Sequence, residues 1–252
     1  VYKRQFPYLK PRGDTAPGAQ ERQLDVLNRL NRLHRDQHPG QIELSGRIEA
    51  FETAYKLQRS AMETFDLSRE PESIRKLYGD NTFSRHCLTA RRLVESGVRF
   101  VEILDGAEGR KWDAHGNRGG LVDNHRDNAA RTDQGIAALI LDLKSRGLLD
   151  ETLVVWATEF GRTPGAQGNG RDHHPQGFCC WLAGGGIKGG VTYGSTDDYS
   201  YNFTENPVHV HDLHAPMLHL MGFPHEQLTY RYAGRDYRLT DVHGKVIREW
   251  FT

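Results

Sequence analysis

Residues 133–162 read DQGIAALILDLKSRGLLDETLVVWATEFGR. Ile136, Leu139, Ile140 and Leu143 recur at helical spacing, so the stretch predicts a helix over roughly 122–146. GLLDE stops that helix, and TLVVWAT (152–158) follows as an apolar, β-branched strand. The strand ends on Glu159, Gly161 and Arg162, which places a carboxylate and a guanidinium just beyond its carboxyl end.

Working outward, the alternation continues on both sides. VRFVEIL (98–104) predicts a strand, preceded by a helix at 84–96 and followed by a polar loop containing KWDAHGNRGG. After the 152–158 strand a glycine-rich loop leads to FCCWLAGGG as a third strand, and DLHAPMLHLMG (212–222) predicts a helix with Asp212 as N-cap. TYRYAGRDYRLTDVHG reads as a hairpin running toward a short terminal helix. Nearer the amino end, the leucines of LDVLNRLNRLH (24–34) make an amphipathic helix, and 42–65 makes a longer one. Strands alternating with helices predict a mostly parallel sheet covered on its faces, an α/β three-layer sandwich. In such a sheet ligands bind beyond the carboxyl ends of the strands, which is where the polar clusters fall.

Composition narrows the function classes. The chain has 252 residues, with 33 basic and 33 acidic side chains, so no net charge draws it to nucleic acid or an anionic membrane. No apolar run reaches membrane-span length, and no stretch reads as a signal peptide. Cys87, Cys179 and Cys180 make neither a metal-type pair nor a disulfide framework. Residues 1–20 read as a linker or scar, leaving 21–252 as one domain whose amino-terminal portion is expected to be missing.

The 13 histidines are uneven, most of them after position 114 and close to Asp, Asn and Gly. In WDAHGN, Asp113 and His115 can turn toward one cation as oxygen and nitrogen ligands; the alternative is an Asx-type turn beside a surface histidine. Glu159 offers a second carboxylate, and Arg162 has the planar fork that suits a carboxylate, phosphate or sulfate, unless the two simply pair with each other. In GRDHHP, His173 and His174 cannot both point the same way in extended chain. One can bind metal while the other supports it or meets substrate. His209 and His211 alternate and form a weaker metal candidate, whereas His214 and His219 fit a helix face. The glycine runs match neither a P-loop nor a dinucleotide fingerprint, and there is no GxSxG elbow.

Taken in order, WDAHGN, EFGRTP, GRDHHPQGF, WLAGGG, HDLHA and LTDVHG resemble the bacterial family called domain of unknown function 1501. The helix–strand segment and VHVHDLHAPMLHLMG also resemble the alkaline phosphatase and sulfatase superfamily. That resemblance implies a partial alkaline-phosphatase/sulfatase-like domain that hydrolyses sulfate or phosphate esters with a divalent metal (Zn, Ca or Mg). Asp113 and His115 match metal ligands, at a tighter spacing than the usual four residues. Glu159 stands where a ligand Asp is found, Phe160 replaces a His, and His173 or His174 matches the late ligand. The implied metal set is Asp113, His115, Glu159 and His173, with Arg162 neutralising charge and His174 as proton donor. The nucleophile is expected in the missing portion. The substrate is a small-molecule or glycan ester, and the location extracytoplasmic. The alternatives are a sulfatase-like binding protein with a degenerate site, and a structural domain whose histidines are incidental.

Overall fold

The computed structural model describes residues 18–38, 42–105, 112–115 and 120–252. The chain divides into two compact units, Val1–Glu70 and Pro71–Thr252. The first holds α1 (Ala19–Gln37) and α2 (Ile42–Thr64). Residues 1–17 of the expected linker lie outside the described residues, while Ala19 and Gln20 already belong to α1. The expected leucine stripe is present on α1, but Leu27, Leu30 and Leu33 are exposed.

The second unit is built on three helices, α3 (Glu72–Tyr78), α4 (Thr82–Glu95) and α5 (Gly120–Ser145). Asn81 caps α4 by accepting from the Ser84 amide at 2.9 Å, and its own amide group donates to Arg131 O on α5. Phe83, Cys87, Leu88 and Ala90 turn inward from α4, and Ala138 and Leu143 from α5. Each large apolar side chain buried here contributes roughly 1.5–3 kcal/mol. Gly135 lets the two helices approach closely: a Cβ there would lie 3.1 Å from Ser84 Cα.

The same interior holds charge. Asp142 meets Arg91 Nε at 2.8 Å, accepts from Arg146 Nε at 2.7 Å and from the Tyr78 hydroxyl at 3.1 Å. Glu95 joins Arg91 and Arg146 from the other side, at 2.6 and 2.9 Å. Burial first, then the Asp142 charge, push the Tyr78 hydroxyl far above its ordinary pKa, so it serves only as a donor.

The strands overturn the expected sandwich. β1 (Val154–Trp156) pairs with β4 (Trp181–Ala183), β2 (Gly161–Gln167) with β3 (Gly170–His174), β5 (Ser195–Thr196) with β6 (Phe203–Glu205), and β7 (Thr229–Tyr232) with β8 (Arg235–Arg238). Among the described residues every sheet has two strands and every pair is antiparallel. The architecture is therefore helices with short antiparallel ladders, not three layers about a mostly parallel sheet. A parallel return needs a crossover, usually a helix. Between β1 and β4 the chain instead makes the β2–β3 hairpin and comes back in the opposite direction. VRFVEIL (98–104) forms no strand, because no described segment offers it a ladder partner.

α6 (Val210–Leu220) and the expected β7–β8 hairpin follow. The terminal helix is a single 3-10 turn at Arg248–Trp250. Leu213 of α6 packs with Ile247 and Trp250, and Leu182 of β4 and Phe251 close around them.

Candidate metal centre

The site is assembled by backbone contacts before any side chain takes part. Ala114 O accepts from the Arg171 amide at 2.9 Å, and Asn169 O from the Leu121 amide at 2.9 Å. These two bonds lay residues 113–115 against β3 and set the start of α5 at the hairpin tip. Gly170 is what allows it, since a Cβ there would fall 1.5 Å from Ala114 O. Gly170→Ala is therefore expected to displace residues 113–115 and to remove any divalent ion held by the Asp113 trio although no ligand is altered. Elemental analysis of the dialysed variant, with circular dichroism to confirm that the helices persist, checks this.

The hairpin register then selects which side chains meet. Arg162 on β2 is directly opposite His173 on β3, and cross-strand partners share a face. His173 Nε2 reaches Asp113 Oδ1 at 3.1 Å and Arg162 Nη2 donates to the same oxygen at 2.9 Å. His115 Nε2 lies 2.7 Å from Asp113 Oδ1 and 2.6 Å from His173 Nε2. Two imidazole nitrogens and one carboxylate oxygen thus point at one another. Among the described residues, Asp113, His115 and His173 are the group whose ligand atoms converge, all within 4.8 Å.

Glu159 stands beside this trio, not in it. Its Oε1 accepts from Arg162 Nη2 at 3.0 Å and its Oε2 from the Thr158 hydroxyl at 2.5 Å. Arg162 consequently bridges Glu159 and Asp113. Its Nη1 is fixed on the carbonyls of Phe160 and Gly161, while its Nε is buried with no partner among the described residues. Phe160 is the wall of the site: its ring lies 4.6 Å from the His173 ring, and the Arg162 guanidinium sits 5.1 Å from its centre. His174, next along β3, points to the opposite face. It is buried, and its Nε2 meets Tyr201 O at 2.6 Å.

Charge is arranged accordingly. Partial burial acts to raise the Asp113 carboxyl. The His173 hydrogen bond and the charges of Arg162, His115 and His173 outweigh it, holding the group below its usual range. Glu159 is held low as well, first by the Thr158 hydroxyl and then, against burial, by its own backbone amide and Arg162. Both groups are therefore held as carboxylates, Asp113 facing the two imidazoles and Glu159 facing Arg162.

Sequence reading missed the support behind Asp113. Arg131 of α5 grips Asp105 at 2.5 and 2.9 Å, and the Trp112 indole donates to Asp105 at 2.8 Å. It also missed the β2–β3 hairpin, reading this stretch as a glycine-rich loop. The signal was the Gly168-Asn169 pair between the two arms, a known two-residue hairpin turn, with Gly168 at φ 59°.

A family model described as a protein of unknown function, DUF1501, matches residues 2–251. The chain belongs to the DUF1501 family. No curated protein and no solved structure matched it. Among the described residues of this DUF1501 chain, no helix is long and apolar enough to cross a membrane.

Proposed function

We propose that this DUF1501 chain is a metal-dependent hydrolase of sulfate or phosphate esters, akin to the alkaline phosphatase and sulfatase superfamily. One observation carries the reading: the donor atoms of Asp113, His115 and His173 converge, with Arg162 on the same carboxylate oxygen. Two imidazoles and a carboxylate are one of the three-ligand sets of catalytic zinc sites, which keep a fourth position open. Tetrahedral bonds of about 2.0–2.1 Å would place the donors about 3.3 Å apart. The present separations of 2.6, 2.7 and 3.1 Å need only a small opening to match. Two nitrogen donors favour zinc or a similar transition ion over calcium or magnesium.

A bound divalent ion would supply Lewis acidity toward an ester oxygen and acidify water. The chain's own residues do the rest. Arg162, held by two backbone carbonyls, presents positive charge where the transferring oxyanion group gains negative charge. Glu159 keeps that guanidinium aimed. Phe160 keeps water from one side of His173 and restricts its ring. His174 acts as a positioning residue from the far face of β3. Hydrolysis breaks the ester S–O or P–O bond, water supplies the new oxygen, and the leaving alcohol takes up a proton.

Phe160 favours a second reading, a site that binds a sulfated or phosphorylated ligand without cleaving it, because a ring with no donor atom occupies the position beside Glu159. The deciding experiment loads the chelator-stripped chain with Zn2+ and follows 4-nitrophenyl sulfate and 4-nitrophenyl phosphate. Turnover lost in Asp113→Ala supports the hydrolase. Zinc uptake without turnover supports the binding site. A chain that takes up no ion at these residues overturns both.

A further inference from the structure

A second group of imidazoles gathers at the start of α6. His209 is the N-cap of α6; its Nδ1 accepts from the His211 amide at 3.3 Å, a bond that does not use its Nε2. Asp212 closes the capping box by accepting from the His209 amide at 3.1 Å with Oδ2. Its other oxygen accepts from the Lys245 amide at 2.6 Å, which moors the turn carrying His243 beside the helix start. That turn is itself set: the His243 amide donates to Thr240 O, and Thr240 is fully buried. As a result the His209 and His243 rings lie 4.9 Å apart, His209 and His211 5.1 Å apart, and His211 and His243 6.0 Å apart, nearly parallel. His214, one turn on, is 6.3 Å from His211. His211 Nδ1 is buried and has no partner among the described residues.

We propose that His209, His211 and His243 form a second metal site, separate from the Asp113 centre, for a borderline transition ion such as Zn2+, Ni2+ or Cu2+. Imidazoles arranged tetrahedrally around one ion at about 2.0–2.1 Å have ring centres about 5 Å apart. The ring separations lie near that value, but the donor nitrogens do not converge as those of the Asp113 trio do, so binding an ion here requires the exposed His243 ring to turn. An all-imidazole set selects these ions over calcium or magnesium. The positive end of the α6 dipole opposes a cation here, and the Asp212 carboxylate at the same turn offsets it. Asp212 also fixes His209 through its own amide and the turn of His243 through Lys245, so it prepares the site without occupying it. Bound metal staples the 240–245 turn to α6.

The test counts metal ions. The full chain is stripped, equilibrated with excess Zn2+, passed through a desalting column and analysed for zinc. Two equivalents are expected for the wild type, one for Asp113→Ala and one for the double variant His211→Ala/His243→Ala. Because His211 is partly buried, the exposed His243→Ala is made as well, with circular dichroism as a check; it should weaken the second affinity about tenfold or more. On the Asp113→Ala background, Co2+ should give visible bands of a nitrogen-ligated ion that vanish with His243→Ala. A double variant that keeps the wild-type stoichiometry overturns the site. A wild type that holds one zinc, lost with His211 and His243 and kept in Asp113→Ala, would establish it while removing the hydrolase reading.

Discussion

Asp142→Ala is expected to cost about 3–5 kcal/mol of stability, the range for breaking a buried ion pair from one side. That is a large part of the 5–15 kcal/mol that holds an ordinary domain together. Asp142 and Arg91 are both fully enclosed between α4 and α5, and Tyr78 adds its hydroxyl to the same carboxylate. Removing the carboxylate strands much of the Arg91 charge in an apolar setting and takes the acceptor from Tyr78. Glu95 remains at Arg91 Nη1 but is itself half exposed and shared with Arg146. Urea unfolding followed by circular dichroism reads the loss. The double change Asp142→Leu/Arg91→Met should recover most of it, because a packed apolar pair avoids the desolvation that the charges demand. A loss below about 1 kcal/mol for Asp142→Ala would show that the network is not what joins these helices.

His173→Ala and Asp113→Ala are each expected to reduce divalent-metal affinity by more than about a hundredfold. Removing a group that only supports a ligand costs about 10–100-fold, and these two supply ligand atoms directly. Asp113 has the larger effect of the two, since its Oδ1 is the one atom that both histidines and Arg162 contact. His174→Ala is the control on the adjacent residue. It leaves the three donor atoms in place, so affinity should change only a few-fold, while the lost bond to Tyr201 O lowers stability by about 1 kcal/mol. Competition against a chromophoric zinc chelator gives the affinities. Equal losses for His173→Ala and His174→Ala would contradict the assignment of the trio.

Much of the helical structure was legible beforehand because helix signals are local. The 3.6-residue recurrence of Ile136, Ile140 and Leu143 acts within a turn or two of the chain, whereas Asp212, expected as an N-cap, is the third residue of a helix capped by His209. The strands were legible as apolar runs, yet their pairing was not. Val154–Trp156 is equally apolar whether its neighbour runs with it or against it; direction was decided by the intervening hairpin. VRFVEIL shows the same limit, since a β-branched run becomes a strand only when another segment supplies its hydrogen bonds.

The site divides along the same line. By itself, the sequence determined the residue types able to hold a metal, namely Asp113, His115, Glu159 and the His173-His174 pair, and the family to which the chain belongs. Only the tertiary structure decided that His173 and not His174 faces Asp113, and that Glu159 meets Arg162 in place of joining the trio. It also brought His243 to His209 and His211, across about thirty residues that carry no common motif. Residue identity and local periodicity are written along the chain. Convergence of donor atoms depends on hairpin register and on backbone bonds such as Arg171 to Ala114, formed between segments more than fifty positions apart.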